Sequence, residues 1–170
     1  MKSHPVDVVS LIGMPGSGKS TVGVLLAKRL GLGFVDTDLL IQQQEQATLA
    51  EIIAAKGHEA LRHIEEQVLV DMAVGPSVIS TGGSVVYSEA IMQRLAEQSH
   101  IVYLRSTLAT VEYRISLAPD RGIASPGSHT LQDVYNERVP LYIAGALGAG
   151  RPPRTPTWGG TPTPPRPPRR

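Results

Sequence analysis

Residues 13–21 read Gly-Met-Pro-Gly-Ser-Gly-Lys-Ser-Thr and meet the pattern G-x-x-x-x-G-K-[ST] at every fixed position. A short β-branched run, Val6–Gly13, precedes the lysine end of the pattern. An apolar-periodic stretch, Ser20–Leu30, follows it, with Gly31 placed as a helix C-cap. Strand, glycine loop and helix, in that order, form the context in which this pattern cradles phosphate. The glycines let successive N–H groups turn inward toward phosphate oxygens, and the helix start near Lys19 adds the positive end of its dipole. Lys19 is placed to reach the β- and γ-phosphates, and Ser20 offers a hydroxyl to Mg2+. This segment predicts a Mg-nucleotide site and leaves the acceptor open.

The rest of the chain alternates in the same way. Phe34–Thr37, Ser77–Thr81 and Ile101–Arg105 read as further strands. Leu39–Ala55, His58–Ala73, Ser88–Gln98, Thr107–Leu117 and Thr130–Val139 read as helices, the last stopped by Pro140. Pro119–His129 reads as a loop. Strands separated by helices indicate an α/β fold, with a central parallel sheet covered on both faces. The length of 170 residues suits one domain. Without cysteine there is no disulfide scaffold, thiolate zinc site or cysteine nucleophile. No apolar run approaches the ~18–20 residues that cross a bilayer, and Met1–His4 lacks a signal-peptide pattern, so a cytoplasmic protein without membrane contact is expected. The net charge of +1 is misleading, because five of the 16 Lys and Arg lie in Arg151–Arg170, which holds none of the 15 Asp and Glu. The body before it is mildly acidic, so no nucleic-acid partner is expected.

Several features lie at strand ends or in loops, where an open α/β sheet places its ligands. Asp36 and Asp38 follow the second strand. On an extended chain end they would face opposite sides, one toward the Mg-phosphate centre and one toward a second substrate, although both could also be helix-capping acids. Arg62 suits a substrate carboxylate or a solvated pairing with Glu65 or Glu66. Gly82 and Gly83 after the third strand permit close backbone approach, or simply a turn. Arg121, in the Pro/Gly/Ser loop, suits a lid over a transferring phosphate. It and Arg138, in the next helix, are also compatible with plain surface roles.

Taken together, GMPGSGKST, Phe34-Val35-Asp36-Thr37-Asp38, Leu61-Arg62-His63-Ile64-Glu65-Glu66, Thr81-Gly82-Gly83 and Glu137-Arg138-Val139-Pro140-Leu141-Tyr142 resemble the shikimate kinase family of P-loop kinases in order and spacing. The resemblance implies a three-layer α/β/α P-loop kinase fold. It also implies ATP-dependent phosphorylation of the shikimate 3-hydroxyl, a step of aromatic amino acid biosynthesis. Gly16, Ser17, Gly18, Lys19, Ser20 and Thr21 would bind ATP, with Ser20 and Asp36 holding Mg2+. Asp38 would orient or deprotonate the attacking hydroxyl, and Arg62 and Arg138 would clamp the shikimate carboxylate. Gly82 and Gly83 would meet the substrate by backbone, and Arg121 would be the lid arginine, in a lid spanning about 119–129. Lys19, Asp38 and Arg121 are thus the expected catalytic residues, in an expected monomer. A related gluconate or nucleoside monophosphate kinase, or an inactive nucleotide-binding homologue, is the alternative.

The sequence departs from the family pattern at three places. Ser84 stands where the family has a third glycine, and the lid reads Arg121-Gly122-Ile123-Ala124. After Tyr142 the chain runs Gly/Ala-rich and then Pro/Arg-rich. Residues 1–142 are therefore expected to form the kinase domain and 143–170 an atypical, disordered tail, divergent or frameshifted, in place of the family's last strand and helix.

Overall fold

The computed structural model describes residues 8–73, 75–117 and 128–148. Strand β1 (Val8–Ile12) leads through the glycine loop into helix α1 (Lys19–Leu30), and β2 (Gly33–Asp36) leads directly into α2 (Thr37–Glu45). Helices α3 (Leu49–Lys56) and α4 (His58–Asp71) follow, then β3 (Ser77–Ser80), a 3-10 turn at Val85–Tyr87 and α5 (Glu89–Gln98). Strand β4 (His100–Tyr103), α6 (Leu108–Ser116) and α7 (Leu131–Leu147) complete the described elements. Among the described residues the sheet has four parallel strands in the order β2-β3-β1-β4. The α/β fold with a central parallel sheet is thus as the sequence predicts. No helix among the described residues is long and apolar enough to cross a membrane.

Parallel pairing fixes where a site can form, because it brings the carboxyl ends of the strands side by side. Asp36 on β2 stands opposite Ser80 on β3, and Ser80 stands opposite Leu11 on β1. The glycine loop, the Thr81-Gly82-Gly83 segment and the start of α2 therefore leave the sheet at one level. Strands β1 and β3 are buried along their whole length. Helix α1 approaches them through small residues. Gly23 and Ala27 are buried, and a Cβ on Gly23 would lie 2.6 Å from the Phe34 ring and 3.2 Å from Leu11. A second apolar cluster, Ile41, Ile52, Leu61 and Val68, ties α2, α3 and α4 together.

The structure corrects the expected elements in two places. The predicted helix Leu39–Ala55 is two helices. Gln46 takes a left-handed conformation (φ 52°), and Thr48 and Glu51 then close a reciprocal capping box that starts α3. A Thr three residues before a Glu was the missed signal.

The predicted stop at Pro140 is also not found, because α7 continues to Leu147. Proline removes one N–H and crowds the preceding turn. Pro140 and Asn136 both face solvent, where water can take up the freed carbonyl. The opposite face holds the helix in place. Val134, Arg138 and Tyr142 are buried, and the Tyr142 ring stacks on Tyr103 at 5.2 Å. A Cβ on Gly145 would collide with the Met92 methyl. Residues 143–147, expected to begin the disordered tail, are thus the last turn of a packed helix. Residues 149–170 lie outside the described residues.

Candidate active site

The glycine loop turns through three glycines of positive φ, Gly13 (149°), Gly16 (78°) and Gly18 (97°), the last serving as N-cap of α1. Side chains are rarely tolerated there, which is why the pattern fixes glycine at positions 13 and 18 and why glycine also suits position 16. Lys19 is buried, and its Nζ donates to the carbonyls of Gly13 (2.8 Å) and Met14 (3.0 Å), so the ammonium lies across the loop. The Ser17 hydroxyl is buried and has no hydrogen-bond partner among the described residues, as suits a loop that completes its bonds on a ligand.

This loop forms one wall of an open cavity of about 430 Å³. The other walls carry Asp38 and Glu65, Gly83 and Ser84, and the guanidinium groups of Arg114 and Arg138. Thus Gly16, Ser17, Gly18, Lys19, Ser20, Thr21, Asp38, Gly83 and Arg138 line one space. Arg62 lines a neighbouring cavity of about 260 Å³, which shares Glu65 and Ser84 with the first. Arg121 and most of the expected lid lie outside the described residues.

Of the two early acids only Asp36 sits on the extended chain end, as the last residue of β2. Helix α2 begins at Thr37, and Asp36 caps it, its Oδ1 accepting from the Asp38 N–H at 3.0 Å. The strand-alternation reading of Asp38 therefore fails, and the helical turn sets where Asp38 points. Thr37, fully buried, accepts from the Gly82 N–H at 3.0 Å, which joins the starts of the two loops. Ser20 Oγ lies 3.4 Å from Ser80 Oγ at the end of β3.

Glu65 is the residue the sequence reading undervalued. The sequence alone offers it only as a solvated partner for Arg62, yet it is 6% exposed and lines both cavities. Its position on the buried stripe of α4, with Leu61, Val68 and Leu69, was the available signal. Ser84 Oγ donates to Glu65 Oε2, so the serine that replaces the family's third glycine is engaged with this acid. Burial pushes the Glu65 carboxyl up to about 8. The nearby Asp38 charge adds to the rise, against the pull of Arg138, Arg62 and Lys19.

Through the window between about 4.5 and 8, the folded protein holds a proton that the unfolded chain has released. The contribution of Glu65 to stability therefore falls as pH rises through that window. In Glu65→Gln that slope disappears. Urea midpoints measured from about pH 5 to 8 should fall less in the variant than in the parent, and parallel profiles would contradict the assignment.

Glu65 also explains Gly82. A Cβ on Gly82 would fall on Glu65 Oε1, 2.9 Å from its Cδ and 3.3 Å from Asp38 Oδ1. The missing side chain thus makes room for the protein's own carboxyl. At Gly83 the space is taken by Pro15, 2.8 Å from a built Cβ, and by Arg138. Gly82→Ala should cost about 1–3 kcal/mol by overpacking, read as a lowered urea midpoint, and an unchanged midpoint would show that Glu65 moves freely.

Two further residues were missed. Arg114 on α6 donates from Nη1 to the carbonyls of Gly16 and Ser17, both at 3.1 Å, so it braces the loop from the wall of the same cavity. Tyr87, in the 3-10 turn, has the Arg62 guanidinium 4.1 Å and the Arg138 guanidinium 5.1 Å from its ring centroid. Neither residue stands in a motif, and their roles come from packing between distant segments.

Comparison with known proteins places the chain in one family. The family model for shikimate kinase matches residues 15–147. Shikimate kinase of Paracidovorax citrulli is 38% identical over 139 residues, covering 79% of this chain and 76% of that protein. Shikimate kinase 2 of Yersinia pseudotuberculosis is 32% identical over 141 residues, covering 80% and 81%. Among solved structures, shikimate kinase from Acinetobacter baumannii in complex with shikimate superposes with a TM-score of 0.77 at 28% identity, covering 84% of this chain and 81% of that one. Shikimate kinase from Aquifex aeolicus superposes with a TM-score of 0.67 at 28% identity, covering 80% and 82%.

Proposed function

The chain belongs to the shikimate kinase family, and on that premise we propose that it transfers the γ-phosphoryl group of ATP to the 3-hydroxyl of shikimate, giving shikimate 3-phosphate and ADP. It is a phosphotransferase with an alcohol acceptor. The observation that carries this reading is that the phosphate loop, one carboxylate and one buried arginine line the same 430 Å³ space. A donor phosphate and an anionic polyol can therefore meet in that space.

Phosphoryl transfer asks mostly for positioning and charge neutralisation. The Gly16–Ser20 amides and Lys19 hold the ATP phosphates. Ser20 and Asp36 offer hard oxygen donors, fewer than Mg2+ takes, which fits a site completed by phosphate oxygens and water. Bound there, Mg2+ would neutralise charge on the β- and γ-phosphates. Asp38, on the cavity wall, orients the attacking hydroxyl and takes its proton as the new O–P bond forms and ADP leaves. Arg138 and Arg62 bind the shikimate carboxylate, Gly83 on the cavity wall brings backbone close to the ring while Gly82 seats Glu65, and Arg121 closes over the transferring group. The kinase body on this reading runs through α7.

A coupled ADP-release assay with shikimate, gluconate and nucleoside monophosphates tests the acceptor. Release with shikimate alone is expected. Release with another acceptor, or nucleotide binding with no turnover, would overturn the assignment.

A further inference from the structure

The two arginines assigned to the acceptor carboxylate come from helices far apart in sequence, α4 and α7, and carry like charges. Something must hold them together before an anion arrives. Both guanidinium carbons lie within about 6 Å of the Tyr87 ring centroid, at 4.1 Å for Arg62 and 5.1 Å for Arg138, the range in which a ring quadrupole attracts a cation. Arg138 Nε also donates to the Tyr87 hydroxyl at 3.2 Å.

The ring is well anchored. Val85 and Val86 of the same 3-10 turn are buried in the core, and the Tyr87 N–H closes the turn on Ser84 O at 3.0 Å. Arg138 itself is 1% exposed, so its contacts are desolvated and correspondingly strong. Tyr87 lines the smaller cavity beside Arg62, while Arg138 lines the larger.

We propose that Tyr87 is a positioning residue for acceptor binding, its ring and hydroxyl holding Arg62 and Arg138 as a preformed pair for the substrate carboxylate. The inference rests on the function proposed above. It adds a residue that sets acceptor affinity through the arginines rather than by touching the reacting atoms.

The test compares Tyr87→Leu and Tyr87→Phe with the parent enzyme, using shikimate, its methyl ester and ATP. In Tyr87→Leu the KM for shikimate should rise about tenfold, the size of two partly desolvated cation–π contacts, with kcat and the KM for ATP nearly unchanged. Tyr87→Phe keeps the ring and should restore most of the affinity. Binding calorimetry with the ester, which lacks the carboxylate charge, should give the same Kd in parent and Tyr87→Leu. An unchanged shikimate KM in Tyr87→Leu overturns the inference. So does an equal loss for shikimate, ester and ATP, the pattern of general damage to the fold. If the parent neither binds nor phosphorylates shikimate, the function reading itself falls and this inference with it. If the parent is active and only the Tyr87 effect is missing, the function reading stands alone.

Discussion

Lys19→Met lowers kcat by about 10²–10³-fold, the effect of deleting one preorganised charged donor from a phosphoryl-transfer site. Methionine keeps the length and apolar stem of lysine, so the loss is one of charge. In the structure the ammonium is buried and bridges the carbonyls of Gly13 and Met14, across the mouth where the loop amides converge. Its geometry is therefore set by the loop before any nucleotide arrives. Gly13 and Met14 are buried and outside the cavity lining, so the variant also leaves their carbonyls without this donor and loses some stability. Steady-state turnover and a urea melt, measured together, separate the two effects. Turnover within tenfold of the parent, in a folded variant, would remove Lys19 from the chemistry.

Asp38→Asn lowers kcat by about 10²–10⁴-fold, the range for loss of a positioned general base. Asparagine keeps the shape and can still meet the hydroxyl, but it cannot take the proton. Asp38 stands in the first turn of α2, held by the Asp36 cap, and lines the cavity opposite the phosphate loop. The substitution also removes a negative charge that raises the Glu65 carboxyl. Glu65 should then titrate lower, a second readout independent of turnover. The KM for ATP should stay near the parent value, because the loop amides and Lys19 are untouched. A variant with full turnover would show that Asp38 only orients the acceptor, or that another group does so.

The parts of this protein legible in its sequence are those fixed by local rules. The phosphate loop announces itself because positive φ at Gly13 and Gly18, the two fixed glycines of the pattern, favours glycine, and the strand and helix around it follow from periodicity. The strands are legible for the same reason, each read one residue past its observed end at Asp36, Ser80 and Ile12, and parallel pairing brings those ends together. What was missed depends on tertiary contacts. Glu65 looks like a solvated helix acid until α4 is packed with that face inward. Tyr87 looks like a turn residue until α4 and α7 bring two arginines to it. Pro140 looks like a stop until the buried Arg138 and Tyr142 hold its helix against the core. Local propensity loses to packing at each of these positions.

The central claim is that one cavity joins ATP to the 3-hydroxyl of shikimate. Phosphorus NMR of the purified chain with ATP, Mg2+ and shikimate tests it most directly. A new phosphomonoester resonance coupled to the shikimate H3 proton, growing as ADP forms, is the result expected. Release of inorganic phosphate alone, or no loss of ATP in a folded protein that binds both ligands, would contradict it.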